Sequence, residues 1–212
     1  MKLNKLGFAR TSAIIALTLF IGTASSLATV NGSLWENFFA GNADVAPSGS
    51  PNMTFTSSQI YFGSPDDSTI SGFLNYSGTT TTILTGAGDA GNIADNLFIQ
   101  LTGQIYLTAG ANAFQVGHDD GLNINVAGIG TVLDQPNPTS FVLTPFNITA
   151  PTSGLYDFTL DYNECCGAPA YLEWAFPSGA PITGSVPDGG TTMSLLGLSL
   201  AGLGAFARRL KK

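Results

Sequence analysis

Between Arg10 and Arg208 the chain has no lysine and no arginine. The seven basic residues sit at the ends, Lys2, Lys5 and Arg10 at one and Arg208, Arg209, Lys211 and Lys212 at the other, while all 14 aspartates and glutamates fall between. A body without ammonium or guanidinium groups cannot neutralise a phosphate backbone, which excludes nucleic acid as a partner. Nor can it neutralise its own carboxylates. Cations, hydrogen bonds or solvation must do that, and Ca²⁺ is the expected cation. Much of the acidity simply keeps an exported protein soluble.

Catalytic signatures are absent as well. There is no Gly-x-Ser-x-Gly, no His-Glu-x-x-His and no P-loop, so an enzyme is not expected. A remote alternative is a glycosidase-like pair of Asp161 and Glu164, which would have to stand roughly 5–9 Å apart across a pocket. The single histidine, His118, shares the parity of Phe114 and Val116 and is expected to hydrogen-bond on the core side. Helical periodicity is missing outside the termini.

What remains favours strands and turns: 26 glycines, 11 prolines and abundant Thr, Ser and Asn in 212 residues. With tens of residues spent at the ends, the chain has room for one domain of roughly 150 residues. Residues 1–28 read as a secretory signal: basic residues, the apolar stretch Ala13 to Gly22, then small residues with cleavage expected after Ala28 and Ala24 as second choice.

At the other end, Val186-Pro187-Asp188-Gly189-Gly190 precedes an apolar run, Met193 to Ala207, and the basic stop 208–212. At 1.5 Å per residue that run spans on the order of 22 Å, and Thr191, Thr192 and snorkelling arginines extend it to a single membrane helix over 191–207. The basic end keeps its terminus cytoplasmic and the body outside. This tripartite tail resembles the PEP-CTERM class of bacterial sorting signals in a Val-Pro-Asp variant. The resemblance implies a Gram-negative-type envelope, recognition by an exosortase, and delivery of the body to the cell surface or extracellular matrix.

Residues 29–177 form the domain and 178–185 a Pro/Gly/Ser linker. Gly32 to Phe39 reads as a first strand, followed by loop-rich Ala40 to Pro51. Gln59 to Phe62 and Gly72 to Tyr76 read as short strands, and Thr79 to Thr82 with Gly86 to Gly91 as a long connection. From Leu97 the period is two: Leu97, Ile99, Leu101, Ile105 and Leu107 alternate with polar residues. Phe114 with Val116, Leu122 to Val126, Phe141 to Ile148, Gly154 to Asn163 and Leu172 to Phe176 continue as strands, at the turn spacing of an all-β antiparallel sandwich or barrel.

Leu101 to Tyr106, Ala113 to Gly121 ending in Asp119-Asp120-Gly121, Gly154 to Phe158, Tyr162-Asn163-Glu164 and Ala170 to Trp174 resemble, in that order, the anthrax protective-antigen N-terminal (PA-fourteen) domain family. The match is good from Asn96 to Pro177 and faint from Asn31 to Gly91. It implies an antiparallel β-sandwich or barrel, in most members a binding module. In the adhesin branch two adjacent aspartates joined by a cis peptide ligate Ca²⁺ and, through it, sugar hydroxyls.

The resemblance makes Asp119 and Asp120 the metal candidates, with Asn137, Asn163 and Glu164 as further ligand-binding candidates. The alternative is that both aspartates only accept N–H bonds in their turn. Twelve residues on from Asp119 counting inclusively stands Gly130, not the Glu of an EF-hand. Cys165 and Cys166 admit three states: a vicinal bridge, which is favoured, pairing between molecules, or two thiols on a soft metal. The expectation is a Ca²⁺-assisted carbohydrate-binding protein of the cell surface. The alternative is a structural matrix protein with no defined ligand.

Overall fold

A computed structural model describes residues 29–182 except 65 and 67. The expected signal peptide and the expected sorting tail therefore lie outside the described residues. Among the described residues no helix is long and apolar enough to cross a membrane.

Eleven strands build two antiparallel sheets: β1 Val30–Trp35, β2 Met53–Ser57, β3 Tyr61–Ser64, β4 Thr81–Thr85, β5 Leu97–Leu107, β6 Gly110–Asp119, β7 Leu122–Val126, β8 Gly130–Gln135, β9 Val142–Ala150, β10 Gly154–Glu164 and β11 Ala170–Ala175. One sheet has seven strands in the order β4-β2-β1-β5-β10-β7-β8, and the other four in the order β3-β11-β6-β9. The architecture is all-β, as the alternation requires.

The longest pairing, β5 with β10, runs over eleven residues from Leu97↔Glu164 to Leu107↔Gly154. Along β5 the odd positions Leu97, Ile99, Leu101, Ile105 and Leu107 are buried against the other sheet, and along β10 Phe158, Leu160 and Tyr162 join them. Trp174 of β11 is fully buried and packs edge-on against Phe114 at 5.8 Å and Phe158 at 5.2 Å, which locks the two sheets face to face. Burying a side chain of this size contributes roughly 1.5–3 kcal/mol.

The first third departs from the sequence expectation. Gly72 to Tyr76 is not a strand. Residues Ile70–Leu74 form a one-turn helix, α1, because the Thr69 side chain accepts from the Gly72 N–H at 3.2 Å and caps it. Five residues are too few to print a 3.6-residue period. The supposed connection at Thr79 to Thr82 holds an edge strand, β4, and Met53–Ser57, unassigned above, is a strand with Met53, Phe55 and Ser57 buried. At the other end the expected linker begins inside the domain: Ile182 is buried and its N–H donates to Trp174 O at 3.2 Å.

Candidate functional site

Asp119 ends β6 in the four-stranded sheet and Leu122 begins β7 in the seven-stranded one, so Asp119-Asp120-Gly121 is the turn that carries the chain across one end of the sandwich. The Asp119–Asp120 peptide is cis. The turn is packed from outside by the segment after β8. A side chain at 121 would place its Cβ 2.3 Å from Pro136 O, so only glycine fits there.

Both aspartates are nearly buried, at 7% and 6% exposure. Asp120 is held on both oxygens: Oδ1 accepts from the Thr139 N–H and Oδ2 from the Cys165 N–H, each at 2.9 Å. Burial pushes its carboxyl above the usual range, and these two N–H donors oppose the push. Burial and then the Asp120 charge raise Asp119 likewise, against an N–H from Phe141. His118 is fully buried on the core side as expected, its Nδ1 2.5 Å from Asp120 O and its Nε2 2.8 Å from Gln135 Oε1.

Comparison with solved structures decides the fold. The PA14 sugar-binding domain of an RTX adhesin matches with a TM-score of 0.53 and 22% identity, over 74% of this chain and 94% of that one. The PA14 domain of the MpAFP antifreeze protein matches with a TM-score of 0.53 and 19% identity, over 82% and 92%. The fold is PA14-like. In sequence, residues 185–210 match the VPDSG-CTERM motif, with Gly189 standing where the motif's name has serine. No curated protein matches the chain.

Within this PA14-like domain the candidate ligands do not share one environment. Asn163 is fully buried, its N–H donates to Gly121 O at 3.0 Å, and neither its Oδ1 nor its Nδ2 has a partner. Asn137 is exposed on the loop after β8, its Oδ1 accepting from Asn42 Nδ2 at 3.1 Å. Glu164 does not present itself to a ligand at the surface. Its parity is that of Tyr162, so it is fully buried, with Oε2 3.0 Å from the Tyr162 hydroxyl and Oε1 unpartnered. Burial, then the Asp120 charge, pushes its carboxyl up to about 9, so it is a neutral acid beneath the turn at pH 7.

Asp161 lies on the opposite face of β10 from Glu164, bonded by Gln100 Nε2 at 3.0 Å, so the two do not face a common pocket. Cys165 and Cys166 form the vicinal disulfide, with Cys166 at φ +75°. The supports that sequence reasoning missed are main-chain donors: the N–H groups of Thr139 and Cys165 leave no trace in residue type.

Ca²⁺ takes six to eight hard oxygen ligands. Among the described residues no three His, Cys, Asp or Glu side chains gather to hold a metal. The donor chemistry nevertheless suits the ion: two adjacent carboxylates without a lysine or arginine, and the buried Asn163 amide whose unmet polar atoms would otherwise cost about 1–3 kcal/mol. Such a site leaves coordination positions for water or ligand hydroxyls.

Proposed function

We propose that this protein is an exported cell-surface carbohydrate-binding module, presented by its sorting tail and binding neutral sugar hydroxyls through Ca²⁺ at Asp119 and Asp120. The observation that carries the reading is the pair of nearly buried carboxylates in sequence contact, with no lysine or arginine from residue 11 to residue 207 to compensate them and His118 alone beside them. Adjacent buried anions repel, and a divalent ion between them turns that repulsion into a binding site. The ion supplies Lewis-acid coordination of vicinal hydroxyls. The protein's part is to hold Asp120 in one orientation through the Thr139 and Cys165 amides and to offer the Asn163 amide beside it. The PA14 likeness, one neighbour of which is a sugar-binding domain, supports the same reading, and the VPDSG-CTERM tail supports export and processing by an exosortase-type sorting enzyme.

Calorimetric titration of Ca²⁺ into the native protein and into Asp119→Asn, with a glycan array probed in Ca²⁺ and in chelator, tests it. Heat of Ca²⁺ binding lost in the variant, and sugar selectivity lost in chelator, are the expected results. A null Ca²⁺ titration of the native protein overturns the metal reading, and an array silent in both conditions leaves a structural surface protein.

A further inference from the structure

The outer face of the four-stranded sheet carries an aromatic surface beside the crossing turn. In the register of the sheet Tyr171 pairs with Gly63 on one side and Asp119 on the other, so the Asp119 and Tyr171 side chains share one face. Both neighbouring strands put glycine under the rings. A Cβ on Gly63 would come within 3.0 Å of Tyr76, and one on Gly117 within 3.0 Å of Tyr171 and 3.2 Å of Phe141. The rings therefore rest on bare backbone.

Tyr171 lies 5.1 Å from Phe141, 5.9 Å from Tyr61 and 6.3 Å from Tyr76, at interplanar angles of 88°, 71° and 75°. Phe141, at the outer margin, is 54% exposed. Tyr76, Phe141 and Tyr171 border a hollow of about 310 Å³, with Ser64, Asp119, Pro169 and Ala170 completing its wall. That volume is at the small end of ligand pockets, roughly 300–1,000 Å³. The Asp119 carboxylate thus stands at the junction between the crossing turn and the aromatic hollow.

We propose that this hollow is a second sugar subsite, so that the protein grips a neutral glycan through two adjacent residues of its chain, not through one terminal sugar. The proposal rests on the reading of Asp119 and Asp120 as the cation-bridged sugar site. Edge-to-face rings form an open platform, not a closed cage, and a platform suits the flat C–H face of a pyranose. Its polar rim is made of hydroxyl and carboxylate groups, which bond to sugar hydroxyls. With no lysine or arginine in the body, and the charge of the bridging Ca²⁺ already balanced by the Asp119 and Asp120 carboxylates, a uronate or sulfate gains no net counter-charge here, so the ligand is uncharged.

The test uses the full chain and a panel of neutral mono-, di- and trisaccharides in Ca²⁺, followed by calorimetry with the best monosaccharide and its oligomers. The oligomer is expected to bind about tenfold more tightly than the monosaccharide, the scale of one aromatic contact. That ratio falls to near one in Phe141→Ala and in Tyr76→Ala, and Tyr171→Phe, which keeps the ring, retains it. Thermal melts report whether each variant is folded, and half-exposed Phe141 can be truncated without opening the core. Equal affinity for monosaccharide and oligomer, or a ratio that survives both truncations, overturns the subsite while leaving the Asp119–Asp120 reading standing. Failure of every saccharide to bind in Ca²⁺ sinks that reading, and the subsite with it. Tetramethylammonium binding that Phe141→Ala abolishes would assign the rings to a cation and overturn the sugar subsite.

Discussion

The Tyr162 hydroxyl donates to the main-chain carbonyl of Asp119, tying the central β10 of one sheet to the turn that leaves the other. It has one proton to give and a second acceptor, Glu164 Oε2, at 3.0 Å. A protonated Glu164 resolves the competition, because its own O–H then supplies the second bond. Tyr162→Phe leaves the Asp119 carbonyl and the Glu164 carboxyl without this buried partner, which costs about 1–3 kcal/mol. Urea unfolding in chelator is expected to show a lower midpoint at an unchanged slope, and an unchanged midpoint would deny the tie any role in stability.

Glu164 also fixes the direction in which stability changes with pH. Its folded value is pushed up to about 9 from an ordinary 4.5, so between those limits the unfolded chain releases a proton that the folded one keeps. Stability then falls as pH rises across that window, at up to about 1.4 kcal/mol per pH unit for one proton. Below pH 4.5 the contribution is complete, and above 9 no more is lost. Comparing urea unfolding at pH 6 and pH 8 in chelator, native protein is expected to weaken at the higher pH. Glu164→Gln, which stays neutral and keeps a hydrogen-bonding carbonyl, is expected to hold its stability. A native protein equally stable at both values would mean that the carboxyl is already ionised.

How much of this was legible in the sequence follows from what each element buries. From Leu97 onward the long strands have one face on the core and one towards water, so period two is printed in residue type and the alternation of β5 and β10 was read correctly, whereas the edge strand β8, which buries no residue, was not expected. Before Leu97 the elements are short, and Ile70–Leu74 takes its helical form from the Thr69 cap and from packing, not from any periodicity of its own. The same division runs through the site. Asp119 and Asp120 were visible as adjacent acids, and His118 as core-facing by parity. Glu164 was named a ligand candidate with the resemblance although its parity, shared with Tyr162, placed it inside. The aromatic hollow escaped notice because Tyr76, Phe141 and Tyr171 come from three separate segments, which only the folded sheet, in the order β3-β11-β6-β9, brings together over Gly63 and Gly117.

Gly121 is the position where the crossing turn tolerates least. A methyl group there would sit 2.3 Å from Pro136 O and 2.8 Å from Asn137 O, both main-chain atoms that cannot swing aside as a side chain would. Gly121→Ala must therefore move the segment after β8, which also carries the Thr139 N–H that holds Asp120 Oδ1. Overpacking of this kind costs about 1–3 kcal/mol. Gly154→Ala, where an added Cβ meets nothing within 4 Å, is the matched control at the start of β10. The expected outcome is a lowered unfolding midpoint and weakened Ca²⁺ binding for Gly121→Ala alone. Should both variants keep native stability and Ca²⁺ affinity, the contact between Gly121 and Pro136 does not position the turn, and the orientation of Asp120 must come from the Cys165 amide by itself.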